Sequence, residues 1–524
     1  MWTVASISLT DYTDKSHPLQ SCCRERPIHF HMAFLPSHTA QNVQPRFILL
    51  ISIVKIALFL HLVAHFKYFC ATNNKQEKQK LFLNIFIMKR IFSTIVFASL
   101  ALSSFAGGLL TNTNQHSSFI RNPARYASLE TDAIYFNPAG TAFFGDGWRL
   151  SANWQMVWQD RDVTSNYLNK KYKGEVYVPC MPTILASYTK GDWSFSGFFG
   201  IPGGGGNAQF NDGLPTFDLM GMGLVAANGL SATSAFESTQ YVFALQFGAA
   251  YKFNENLSAY AGIRGNYISA NYAGNITAVH PQAGAMGKIL NLDLTQTGVA
   301  FAPVIGIDYK VGDFNFAAKY EFRAVTTVEN ETEKFESELM AQFLGGDANL
   351  DGKIGNLAAM LNNPTLGALA TLENGKKLRN DSPALLSLSG SWDVSSWFKA
   401  MIGGVYYFDK DAKVESLLGG ADNNKNLKHN SYELLAGVEF KLSEKWLLST
   451  GIQFSNFGIT EDYTSDLGFT NDSFMTGLGA KYSINEKVDL NFGACYASYA
   501  ALSKGTSDYV RNTYNATIGV DFKF

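Results

Sequence analysis

From residue 147 onward, apolar and polar side chains alternate with a period of two. In Trp148-Arg149-Leu150-Ser151-Ala152-Asn153-Trp154-Gln155-Met156-Val157-Trp158-Gln159, the even positions are apolar and the odd ones mostly polar. Successive side chains of a strand point to opposite faces, so such a run has one apolar and one polar face. A single run fits a soluble sandwich as well; repetition decides. Tyr241, Phe243, Leu245, Phe247, Ala249 and Tyr251 alternate, as do Phe314, Phe316, Ala318, Tyr320 and Phe322. Ala384, Leu386, Leu388, Gly390 and Trp392 do so with Leu and Ser between them. About fourteen such segments occur, near 147–160, 175–190, 192–200, 237–253, 256–273, 295–310, 313–328, 382–394, 396–409, 430–442, 445–458, 471–483, 486–500 and 508–524. Short turns join several pairs: Lys190-Gly191-Asp192, Asn254-Glu255-Asn256, Lys310-Val311-Gly312-Asp313, Ser443-Glu444-Lys445 and Asn485-Glu486-Lys487. The other connections are longer. Short turns on one side and long loops on the other predict an all-β fold, a transmembrane antiparallel β-barrel of about 14 strands over 147–524.

Composition agrees. The chain of 524 residues has 46 Gly, 40 Phe and 24 Tyr, with only 16% charged residues. Lipid-facing strands with aromatic girdles and tight turns need that mixture. A mean hydropathy of −0.04 argues against a bundle of membrane helices. The net charge of −2 gives no footing for nucleic acid as a partner. The five cysteines (Cys22, Cys23, Cys70, Cys180 and Cys495) form no C-x-x-C or His/Cys cluster, so a zinc or redox motif has little support. Cys180 and Cys495 fall in distant strands, and a disulfide between them is disfavoured.

The N-terminal region differs from the rest. Met88-Lys89-Arg90 opens a secretory signal with an apolar run over 91–102 and a small-x-small site at Ser104-Phe105-Ala106. Residues 1–87 therefore read as an upstream extension from a misplaced start, 88–106 as the signal peptide and 107–146 as a compact hatch. The hatch carries two Asn-Pro-Ala turns, Asn122-Pro123-Ala124 and Asn137-Pro138-Ala139. Pro138 fixes φ, Asn137 is pushed toward an extended or turn conformation, and Gly140 allows a sharp exit. A short segment ahead of a barrel has the barrel interior as one of its few destinations.

The longest connection, 329–381, reads as an extracellular loop that is partly helical. Residues 331–344 have helix-like spacing, and Leu357, Met360, Leu361, Leu366 and Leu369 form a second apolar group. Asp347-Ala348-Asn349-Leu350-Asp351-Gly352 fits the first half of a calcium loop, with Asp347, Asn349 and Asp351 as metal candidates. Position twelve, which should be a bidentate acid, is Ala358, so an exposed turn is the simpler reading. No other cofactor is implied. Ile201-Pro202-Gly203-Gly204-Gly205-Gly206 lacks the Lys-Ser/Thr of a phosphate loop. Glycine and proline at Gly197, Gly200 and Pro202 instead predict a kink or bulge that interrupts the ladder. By parity Arg264, Lys319, Glu321 and Arg323 face the lumen. The three basic residues are candidates for an anionic head group, with a structural pair to Glu321 the favoured reading. No Ser/His/Asp arrangement stands out, and an enzyme is not expected.

Together these features resemble the FadL/TodX family of outer-membrane transport proteins for long-chain fatty acids and other hydrophobic compounds. The resemblance rests on the signal peptide, the 133–139 stretch with Asn-Pro-Ala, about fourteen strands, Gly200-Ile201-Pro202-Gly203 after the third, and the Arg511-Asn512-Thr513-Tyr514 to Phe524 final strand. It implies capture of a hydrophobic ligand by extracellular loops, passage to a pocket above the hatch, and sideways exit beside a kinked third strand. Asn137, Pro138, Ala139 and Gly140 would lie at that lateral gate with Gly197, Gly200 and Pro202. It also implies outer-membrane lipid and lipopolysaccharide as surroundings and the barrel-assembly machinery as insertion partner. The alternative is a structural or adhesive barrel whose long loop binds calcium or another ligand.

Overall fold

The computed structural model describes residues 115–524, except 226–229, 342–345, 357–368, 418, 421, 462, 465, 467, 468 and 470; the side chains of 220, 223–225 and 340 are also left aside. The upstream extension, the signal segment, residues 107–114 of the hatch and the apolar group at 357–366 lie outside the described residues.

Seventeen strands form one antiparallel sheet. They are β1 (Gly147–Ser165), β2 (Lys170–Lys190), β3 (Trp193–Phe210), β4 (Ser231–Lys252), β5 (Leu257–His280), β6 (Gly284–Val311), β7 (Phe314–Glu321), β8 (Thr327–Glu336), β9 (Lys377–Arg379), β10 (Leu385–Ser395), β11 (Phe398–Tyr407), β12 (Tyr432–Lys441), β13 (Trp446–Asn456), β14 (Ser473–Asn485), β15 (Val488–Tyr499), β16 (Leu502–Lys504) and β17 (Ser507–Lys523). β8, β9 and β16 stand on the loops; the other 14 close a barrel. β17 completes the circle on β1 in unbroken register from Arg149↔Lys523 to Ser165↔Ser507. Closure of the last strand on the first removes the two terminal sheet edges, as a strand protein in hydrocarbon requires.

The predicted alternation sorts the wall into two faces. Trp154, Phe301 and Ile402 point outward and are 52%, 65% and 68% exposed. Ser151, Asn153 and Gln155 of β1 point inward and are buried. An apolar belt of this extent is untenable in water and natural in lipid. Aromatic pairs ring the short-turn end: Trp148–Tyr188, Trp193–Tyr251, Phe314–Trp392 and Trp446–Tyr482, with centroids 4.7 to 5.4 Å apart. Among the described residues, no helix is long and apolar enough to cross a membrane.

Two expectations need correction. The strand predicted over 313–328 is broken: β7 stops at Glu321, and β8 pairs separately with β6 from Thr297↔Glu329 to Asn291↔Glu336. Of the helix expected over 331–344, residues 331–336 are strand instead, and the described helical part is Glu338–Ala341. β6 rises well beyond β7 and offers a free edge there. Pairing to that edge satisfies backbone groups that a short, marginal helix would leave to water.

Candidate functional site

The described part of the hatch, 115–146, is folded into the lumen. A helix at Ser117–Arg121 is fully buried, followed by a helical turn at Ala133–Phe136 and a 3-10 helix at Pro138–Phe143. Glycines of the wall make room for it. Gly437, Gly451 and Gly477 are direct cross-strand neighbours on β12, β13 and β14. Gly479 and Gly493 are partners on β14 and β15. A Cβ at Gly437 would lie 1.9 Å from Asn122 Oδ1, and one at Gly477 would lie 2.1 Å from the Ile120 carbonyl oxygen. The track thus lets the hatch backbone press against the barrel wall.

A buried ion cluster fixes the hatch in register. Arg125 donates to Asp132 at 2.6 and 3.0 Å, to Glu130 at 2.7 Å and to Ser128 Oγ at 2.8 Å, all within the hatch. Its Nη1 donates to Glu439 of β12 at 2.8 Å. Lys481 of β14 pairs with Glu130. Burial alone would lower the Arg125 pKa, but Asp132, Glu439 and Glu130 together raise it well above its ordinary value. Burial would raise Glu130, yet Lys481 and Arg125 hold it well below the usual carboxylate range. The charges are therefore fixed and matched, as befits a clamp. Arg121 is also fully buried; its Nη1 donates to Asn491 Oδ1 at 2.8 Å.

The Asn137-Pro138-Ala139 turn sits at the short-turn end. Asn137 Nδ2 donates to Asp308 of β6 at 2.5 Å, and Asn315 of β7 donates to the same carboxylate at 2.9 Å. Ser258 of β5 donates to the Ala139 carbonyl at 2.8 Å. Gly140 is not a turn exit. It lies inside the 3-10 helix, where a Cβ would come within 2.5 Å of Asn137 Nδ2. Close packing, rather than backbone freedom, calls for glycine.

The wall itself is interrupted between β2 and β3. Their ladder runs from Lys190↔Trp193 to Ile184↔Phe199, stops, and resumes at Val176↔Ala208. Residues 177–183 and 200–207 face each other unpaired. At about 3.3 Å per residue the break extends roughly 20 Å along the strands. On the other side β3 bulges against β4 between Gly200 and Gly203 and again between Gly204 and Gly206. Gly200 and Pro202 therefore lie in the break. Gly197 does not: it remains paired to Ala186 and Phe247. Sequence reasoning missed the opposite lip. Pro179 and Pro182 of β2 have no N–H to donate, and β2 also slips its register against β1 there, between Gln155 and Val157. Two prolines three apart in an otherwise alternating run were the available signal. Gln115 of the hatch, also missed, donates to the Ile201 carbonyl at 2.9 Å within the break.

Apolar surface lines the lumen on both sides of this level. One cluster includes Phe119, Ile134, Tyr135, Phe136, Leu185 and Phe198. A second, toward the long loops, includes Val157, Tyr172, Val176, Val178, Ala208 and Phe210. Farther along it, a small cavity is walled by Phe217, Phe236, Ile276, Leu290, Leu292 and Leu372 among others.

The predicted lumenal charges divide. Arg264 and Lys319 are buried and face inward as expected. Both pair with Glu321, at 2.5 and 2.7 Å, and Lys319 also donates to the Tyr135 carbonyl at 3.0 Å. The favoured structural pairing is thus observed, and it ties the wall to the hatch. Arg323 does not belong with them. It is exposed and donates to the Asp411 carbonyl, because β7 has already ended and strand parity no longer applies. In the long loop, Asp347 Oδ1 and Asn349 Oδ1 accept from the N–H of Asn349 and of Asp351, and Asp351 Oδ1 accepts from the N–H of Asn374. Lys353 lies 2.5 Å from Asp347 Oδ2. Its hydrogen bond and that of the Asn349 N–H lower the Asp347 pKa. Cys180 is exposed and Cys495 is buried; both are free thiols.

A closed fourteen-strand barrel with its N-terminal segment inside and a break in one wall defines a plugged membrane-type β-barrel. Its fold is that of the FadL/TodX-family transporters. A Pseudomonas aeruginosa FadL homologue aligns over 80% of this chain and 100% of its own, with 13% identity and a TM-score of 0.57. The Pseudomonas putida toluene transporter TodX aligns over 75% of this chain and 94% of its own, with 14% identity and a TM-score of 0.48. The Ralstonia pickettii toluene transporter TbuX aligns over the same shares, with 13% identity and a TM-score of 0.49. No protein-family model and no curated protein matches the sequence.

Proposed function

We propose that this chain is a passive outer-membrane channel for hydrophobic small molecules, long-chain fatty acids among them, and that its ligand leaves sideways through the β2–β3 break. The observation that carries the reading is the break itself, with 177–183 unpaired against 200–207 beside an apolar lumen. The buried hatch supports it, because a lumen filled by 115–146 leaves little room for an axial exit. The long-loop end would face outward, and the short turns the periplasm. Each CH₂ exposed to water costs about 0.8 kcal/mol, so an apolar path into the membrane removes a large barrier for an acyl chain. Movement down a gradient needs no energy-coupling motif, and the reading is non-enzymatic. Fluorescence of tryptophan or of a labelled ligand in the purified protein tests it: saturable binding of oleate or toluene is expected. Failure of every hydrophobic probe to bind would reject the reading.

A further inference from the structure

The hatch contacts leave two lumenal arginines unexplained. Arg161 of β1 and Arg511 of β17 are register partners, so their side chains leave the wall side by side, with Cβ atoms about 5 Å apart. Arg161 is only 8% exposed, and the Nε of each is buried without a hydrogen-bond partner. The Arg161 guanidinium lies 4.9 Å over the Phe469 ring, and that of Arg511 lies 4.4 Å over Tyr499. Arg511 Nη1 reaches the Phe469 carbonyl only at 3.5 Å. Among the described residues neither arginine forms an ion pair. The adjacent acids are occupied or turned away. Asp466 accepts from Tyr509 and from the N–H of Thr216, both at 2.6 Å. Asp162 pairs with Lys171 at 2.7 Å, and Asp160 shares its outward parity.

Like charges directly opposite on paired strands repel, and burial strengthens the penalty. An anion between them reverses the sign. The guanidinium fork matches a carboxylate in two parallel hydrogen bonds, and two open Nε donors are available to start them. The surroundings suit an amphipath: Val163 and Tyr509 belong to one apolar cluster, Ala497 and Tyr499 to the other. We propose that Arg161 and Arg511 form the binding site for the carboxylate of a fatty-acid-class ligand whose acyl chain lies along these apolar walls. The assignment rests on the transport reading and specifies which ligand class the lumen holds.

The test uses the purified full chain and three matched probes: dodecanoate, dodecanol and dodecyl phosphate. The wild type is expected to bind dodecanoate about 10-fold or more tighter than dodecanol, the scale of charge-assisted hydrogen bonds. Arg161→Gln with Arg511→Gln should abolish that preference, with the loss falling mainly on dodecanoate; Arg161→Lys should retain part of it. Melting temperature should hold or rise in the Gln variants, since a repulsion is removed. A preference that persists in the double variant overturns the site. So does a fall in melting temperature with equal weakening of both probes, which marks a structural role. Tighter binding of dodecyl phosphate than dodecanoate overturns the carboxylate assignment in favour of lipid phosphate. No binding of any probe to the wild type rejects the transport reading, and this site with it.

Discussion

Gly477 receives the Ile120 carbonyl because it has no side chain to obstruct it, at 2.1 Å from where a Cβ would stand. Gly477→Val forces either the wall or the hatch to shift, and overpacking of this kind costs about 1–3 kcal/mol. The expected result is a lower melting temperature with the barrel still formed, read by heat-modifiable gel migration. Arg125→Met should cost more, about 3–5 kcal/mol, because it leaves Asp132 and Glu439 buried without their cation. The same cluster gives a pH dependence. Glu130, though burial opposes it, is held below the usual range by Lys481 and Arg125. A depressed carboxylate stabilises the fold fully above its unfolded value of about 4.3, and that contribution fades as pH falls through the folded one. The stability this cluster supplies, read as the melting-temperature gap between the wild type and Arg125→Met, should therefore be level from about pH 5 to 8 and shrink below about pH 4. At this scale the sequence was legible only in part. Parity placed Arg264 and Lys319 in the lumen correctly. The glycine track was not visible, since each glycine reads as an ordinary wall residue until the strands are in register. Arg125 was hidden too, because its partner Glu439 lies far along the chain.

The strands were legible because a period of two persists wherever one face meets lipid and the other the lumen. Each of the fourteen segments overlaps one strand of the barrel, although β7 covers only the first half of 313–328. The pattern fades where strands rise past the apolar belt, which is why β6 begins at Gly284 rather than near 295. It misleads where tertiary pairing overrides local spacing, as in β8. The third-strand kink was readable from Gly200 and Pro202, but half of the break belongs to β2. Pro179→Thr with Pro182→Thr restores two N–H donors to that lip. The ladder should extend into 177–183, seen as added amide protection in hydrogen exchange. If protection there stays as in the wild type, the prolines are not what holds the break open.

For the whole molecule, closure, hatch and break act together. The barrel pairs its strands around a lumen that holds the hatch, and the β2–β3 break is the opening through which the proposed reading sends an acyl chain. The direct measurement is the initial rate of uptake of labelled oleate, compared between cells without the gene, cells with the wild-type chain, and cells with the Pro179→Thr, Pro182→Thr chain at equal barrel levels. Lateral passage predicts uptake that depends on the chain and falls at least several-fold when the break is zipped closed. Equal uptake through the open and the zipped barrel would contradict it.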